Sequence, residues 1–175
     1  ISLPEDSFLD QDEEILEIFI EELEEIFQEL DQLIPQWVAD PDEQQVLADV
    51  RRHFHTLKGS GRMVGAKSSS ELAWTVEDAL NRLIAKTLPL SADLQRYVQV
   101  VFNVYRFKFY HDFKNTQPHS IDIRPLVLLG QQLQHQQDVE PALEELLDLA
   151  EQLNTESGIT GLEIQQQQII EAEQP

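Results

Sequence analysis

The chain has 175 residues, 41% of them hydrophobic, enough for one domain with its own core and too many for a chain disordered throughout. It has no cysteine, which excludes disulfide and thiolate chemistry. The formal net charge of -21 argues against nucleic acid as a partner, and no apolar run approaches the roughly 20 residues that span a bilayer.

Charge is unevenly spread. Residues 1–50 hold 17 acidic and no basic residues, and residues 125–175 hold 10 acidic residues and no Lys or Arg. All 12 basic residues lie between Arg51 and Arg124, with Arg51, Arg52, Lys58, Arg62 and Lys67 in one short stretch. A cationic patch on an acidic protein points to a locally held anion or a partner of matching charge. It is also open to a plainer reading, that it offsets the acidic first helix. No signal peptide is evident and the only methionine is Met63, so the chain is expected to be cut from a longer polypeptide. A cytoplasmic setting fits the absence of cysteine.

Helical periodicity dominates from the start. The first helix is expected after Asp10, with Glu13 as a capping partner and Leu16, Phe19, Leu23, Ile26, Leu30, Leu33 and Trp37 as its apolar stripe. The second is expected to open at Asp40-Pro41, with Glu43 closing the cap, and to end near Gly65. Its stripe is Val46 or Leu47, Val50, Phe54, Leu57 and Val64. The third is expected from Ser68, capped with Glu71, burying Leu72, Val76, Ala79, Leu80 and Leu83. The fourth is expected from Ser91 to about Lys114, with Leu94, Tyr97 or Val98, Val101, Val104 or Tyr105, and Lys108 or Phe109 inward.

Four such helices joined by short loops predict an all-α fold, an antiparallel four-helix bundle over residues 1–117. Residues 118–153 read as a C-terminal helical extension, with amphipathic stretches at 123–135 and 140–153 that either pack on the bundle or form a hairpin linker. Residues 154–175, rich in Gln and Glu, are expected to be a flexible tail or linker.

The second helix carries the stretch His55-Thr56-Leu57-Lys58-Gly59-Ser60-Gly61-Arg62. At about 100° per residue His55 turns from the core stripe to the polar flank, and Lys58, Gly59 and Arg62 share that side. Arg51 and Arg52 lie one turn earlier. A neutral imidazole is a nucleophile, and a phosphoryl group on it carries about two negative charges. Lys58 and Arg62 stand at the spacing that neutralises such charge by charge-assisted hydrogen bonds. Two glycines inside one helical turn cost roughly 1 kcal/mol each against alanine. Either access for a bulky partner or close packing of the third helix accounts for Gly59 and Gly61.

The run from Phe54 to Ala66, with His-x-x-Lys-Gly-Ser followed by Gly65-Ala66, resembles the signature of histidine-containing phosphotransfer (HPt) domains. It is most similar to those of chemotaxis-type histidine kinases that serve type IV pilus and twitching-motility systems. The resemblance is specific over residues 50–85 and implies that His55 is phosphorylated, that Lys58 stabilises the phosphoryl group and that Gly59 permits docking. It also implies that Glu77 orients the His55 ring, with a helix-surface charge as the plainer alternative. The chain departs from the chemotaxis pattern at Trp74, where those kinases have a second histidine.

The resemblance implies a phosphoryl carrier rather than an enzyme. A histidine kinase catalytic domain would phosphorylate His55, and a response-regulator receiver domain would take the group onto its aspartate. Arg51, Arg52, Ser60 and Arg62 join Gly59 as candidate contacts to the phosphoryl group or the partner. No cofactor is expected, and the isolated chain is expected to be a monomer. His53 and His55, two residues apart on a helix, point to different sides, which argues against a metal pair. The alternative function is an HPt-like docking or structural module that transfers nothing.

Overall fold

The computed structural model describes residues 1–135. A short 3-10 turn at Phe8–Asp10 precedes α1 (Glu13–Ala39), α2 (Gln44–Met63) and α3 (Lys67–Ile84). α4 (Ala92–Val104) runs through a π-helical turn (Tyr105–Phe109) into α5 (Tyr110–Lys114), and α6 (Arg124–Gln134) follows. There is no strand among the described residues. The architecture is the all-α bundle that the periodicity predicts, with a helix added after it. The expected stretch at 140–153 and the tail lie outside the described residues.

The core forms along the predicted stripes. α1 buries Leu16, Phe19, Leu23, Ile26, Leu30 and Trp37, but at its C-terminal half Ile34 takes the inward place expected of Leu33, which is only partly covered. α2 buries Leu47, Val50, Phe54 and Leu57, and α3 buries Leu72, Val76, Ala79 and Leu80, while Leu83 lies at the margin. On the fourth helix Tyr97 with Val98 and Val104 with Tyr105 are buried together, because α4 packs against α1, α3 and α6. Of Lys108 and Phe109, within the π turn, Phe109 is the buried one.

The fourth helix is capped at Ser91 as expected, its hydroxyl accepting from the Leu94 amide at 3.1 Å, but the first three helix starts differ from those expected. α1 is capped by Asp12, whose carboxylate accepts from the Glu14 amide at 2.8 Å. α2 begins at Gln44, capped by Glu43 rather than opening at Asp40-Pro41. α3 is capped from a distance. Asp6, on the N-terminal segment, accepts from the Ser68 amide at 2.8 Å and from the Ser68 hydroxyl at 2.6 Å, while Glu71 turns to Arg62. The same segment clamps the α2–α3 turn, with the Ser7 amide on the Gly65 carbonyl at 2.8 Å. Gly65 has φ of +86°, and a Cβ there would meet Ser7 Oγ at 2.4 Å. Only glycine fits both the left-handed backbone and the close approach.

α6 packs on α3 and α4 and buries Leu126, Leu129 and Leu133. It is tied down by Tyr97, whose hydroxyl donates to the Leu126 carbonyl at 2.8 Å, and by Gln134, whose side-chain amide donates to the Thr75 carbonyl at 2.7 Å. No described helix is long and apolar enough to cross a membrane.

Candidate functional site

α2 and α3 lie side by side and antiparallel, and their facing side chains form a polar seam. Arg62 meets Glu71 at 3.5 Å, Lys58 lies over Trp74, His55 meets Glu77, and Arg51 Nε meets Asn81 Oδ1 at 2.5 Å. The pairs step one helical turn at a time because i, i+3 and i+4 positions share a face. Phe54 and Leu57, on the other side of α2, fix this rotation by filling the core.

Glu77 is the centre of the seam. Its side chain is 3% exposed, yet it receives His55 Nδ1 at 2.6 Å on Oε1 and Lys58 Nζ at 2.6 Å on Oε2. Arg51 Nη2 stands 3.9 Å from Oε1. Burial alone would push this carboxyl up. The hydrogen bonds and charges of Lys58 and His55 outweigh it and hold Glu77 below the usual carboxylate range. Glu77 is therefore an anion at neutral pH, and an anion at 2.6 Å requires the proton of neutral His55 to sit on Nδ1. That leaves a lone pair on Nε2, on a side chain 58% exposed.

The two glycines separate the explanations left open by the sequence. A Cβ on Gly59 would meet nothing within 4 Å, so this position is open surface beside the imidazole. A Cβ on Gly61 would lie 2.4 Å from Ser70 Oγ and 3.3 Å from the Ala66 carbonyl oxygen, so Gly61 is there for close packing of α3. Helix contact accounts for Gly61, whereas Gly59 borders open space.

The structure thus brings together His55, Lys58, Glu77 and Arg51, with Gly59 leaving their surface clear. The remaining candidates are engaged elsewhere. Arg52 pairs with Asp49 at 3.6 Å, Ser60 donates to Glu22 at 2.8 Å, and Arg62 pairs with Glu71. His53 faces α1, buried against Glu29, on the opposite side of α2 from His55. Its burial lowers its pKa below the ordinary imidazole range although Glu29 opposes the shift. Among the described residues no group of three or more His, Cys, Asp or Glu side chains is placed to hold a metal ion.

Sequence reasoning missed three participants. Asn81 follows Glu77 by one turn, a spacing that marks it as a neighbour of Arg51 once the helices are paired. Trp74 precedes Glu77 by three residues and was visible only as a departure from a pattern. The pair formed by His119 and Asp112 has no local signal, because the loop between them sets it.

The Hpt domain family matches residues 14–103, just over half of the chain and all of the seam. The chain belongs to the Hpt domain family. Over 81 residues, 46% of its length, this Hpt domain is 31% identical to the chemotaxis protein CheA of Halobacterium salinarum. It spans only 12% of that relative's length. No solved structure matches at a significant level. Domains of this family carry phosphoryl groups rather than catalyse reactions of their own. The match does not reach the narrower group of kinases that serve type IV pilus and twitching systems.

Proposed function

We propose that this Hpt domain accepts a phosphoryl group on His55 Nε2 from a histidine kinase catalytic domain and passes it to the aspartate of a response-regulator receiver domain. The observation that carries the reading is the exposed imidazole whose Nδ1 is tied to a buried, ionised Glu77. The Nε2 lone pair attacks the γ-phosphorus of ATP held by the kinase. The P–Nε2 bond forms as the bond to the ADP oxygen breaks, and its electron pair leaves with ADP. The imidazole keeps its Nδ1 proton and becomes cationic, and Glu77 stabilises that charge. Lys58, 13% exposed and beside the ring, balances the incoming phosphoryl charge. Attack by the receiver's aspartate reverses the bookkeeping, returning neutral His55.

The docking face of this reading is the row His55, Gly59, Met63 along α2, one turn apart. Met63 is exposed and continues into an apolar groove lined by Ile15, Ile18 and Val64. A partner is expected to seat across open Gly59, and the parent protein is expected to be a cytoplasmic kinase of the chemotaxis type. Arg52 and Arg62, exposed on the same helix, would contact the partner's acidic site after leaving weak surface pairs.

The test is labelling by a chemotaxis-type kinase catalytic domain with Mg-ATP, comparing wild type with His55→Gln. Acid-labile, alkali-stable label is expected in the wild type and none in the variant. Equal labelling of both places the phosphoryl group on a residue other than His55, and no label in either when a control Hpt domain is labelled by the same kinase favours a docking module.

A further inference from the structure

A large apolar side chain stands half in water beside the site. Trp74 is 38% exposed, on α3 one turn before Glu77, and its ring lies 4.6 Å from Lys58 Nζ. The ammonium is therefore held on two sides by one helix, by the Glu77 carboxylate at 2.6 Å and by the indole face. The two holds differ in kind. Glu77 binds Lys58 with a full negative charge, which repels an arriving phosphoryl group. The indole binds it through the ring quadrupole and adds no net charge.

We propose that Trp74 is a positioning residue that keeps the Lys58 ammonium beside His55 while that ammonium exchanges part of its bond to Glu77 for the phosphoryl group. The proposal rests on the carrier reading of His55 and deepens it. By this reading Trp74 acts through Lys58 and does not touch the reacting phosphorus. Without it, the long flexible lysine is free to swing into water. The cation is then less available to the new anion, and His55 loses a neighbouring positive charge that opposes its protonation. The charged groups around His55 are Glu77 from α3 and Arg51, Arg52, Lys58 and Arg62 from α2. From α1, Glu22 and Glu29 are turned to Ser60 and His53.

The experiment uses Trp74→Phe, which keeps an aromatic face, Trp74→Leu, which keeps apolar bulk without one, Lys58→Ala, and the Trp74→Leu/Lys58→Ala double variant. Phosphoramidate serves as the phosphodonor, and 31P NMR reads the rate of His55 labelling. Nitrogen-15 NMR separately reads the midpoint of His55 protonation. Trp74→Leu is expected to slow labelling by about three- to tenfold, the range a cation–π contact is worth, with Trp74→Phe in between. Trp74→Leu is expected to raise the His55 midpoint in the same direction as Lys58→Ala, and to add nothing to either readout once Lys58 is gone. A midpoint unmoved by Trp74→Leu, or a full Trp74→Leu effect persisting in the Lys58→Ala background, overturns the proposal. If the wild type takes no label, the carrier reading fails, and the titration cycle still decides the role of Trp74.

Discussion

This domain contains two histidine–carboxylate pairs of nearly the same length and opposite character. His55 and Glu77 meet at 2.6 Å, and His119 and Asp112 at 2.7 Å. In the first pair the carboxylate is buried and the imidazole is open, with Lys58 and Arg51 close by. In the second both side chains are 6% exposed, and the imidazole is boxed by Phe8, Phe109 and Phe113. Gln117 donates to the other Asp112 oxygen at 2.8 Å, completing a closed knot that ties the loop after α5 to the bundle end. The same hydrogen bond holds an imidazole that is more than half exposed among cations in one place, which the proposed carrier role uses, and in the other a buried imidazole that fastens the fold. Geometry within the pair does not decide function; what surrounds the free nitrogen does.

The sharpest way to break the comparison is to remove each imidazole. His119→Ala is expected to destabilise the fold by about 3 kcal/mol, since it leaves one oxygen of a buried carboxylate without its partner and opens a cavity among three phenyl rings. His55→Ala is expected to change stability by less than about 1 kcal/mol, because its ring is largely in water and Lys58 still neutralises Glu77. Denaturant unfolding of the two variants beside wild type measures both, and equal losses would erase the distinction.

Glu77→Gln attacks the first pair from its buried side. An amide cannot stabilise the imidazolium formed on attack and leaves Lys58 without its anion. Phosphorylation of His55 is expected to slow by about 10- to 100-fold, the usual range for loss of a ring-orienting partner, as read by acid-labile label. The pH dependence of stability carries the same signature. Because the folded Glu77 titrates below its unfolded range, its contribution is present at neutral pH and is lost as pH falls from the ordinary carboxylate range through its lowered value. His53, lowered by burial, adds an earlier loss just below the ordinary imidazole range, where the unfolded chain takes up a proton and the folded chain does not. Glu77→Gln is expected to flatten the lower limb and leave the upper one, in unfolding free energies measured across acid pH.

The smallest effect separates the two glycines. Gly59→Ala adds a methyl to open space and is expected to stabilise α2 by up to about 1 kcal/mol while slowing transfer to a receiver. Gly61→Ala drives a methyl toward Ser70, whose hydroxyl is held to the Ala66 carbonyl at 2.7 Å, and is expected to cost about 1–3 kcal/mol. Melting of both variants, with a transfer assay on the first, checks the contrast.

Much of this was legible in one dimension. The apolar stripes named most of the core because a 3.6-residue repeat maps directly onto one helix face, as Phe54, Leu57, Leu72 and Val76 attest. The place of His55 on the polar flank of α2, with Lys58 one turn on, also followed from that repeat, and the motif around them named the family. The tertiary structure alone decided the rest, because those features join residues that helical spacing cannot relate. Asp6 caps α3 from 62 positions away in the chain. Arg62 and Arg52 share a helix face with His55 in projection, yet acidic neighbours take them up. The joint burial of Tyr97 with Val98 and of Val104 with Tyr105 answers to the several helices packed on α4 and not to the local repeat. Trp74 became a hold on Lys58 only when α3 was laid against α2. Helical periodicity reports which way a side chain turns from its own axis, whereas the partner it meets depends on which helix is packed there and in what register.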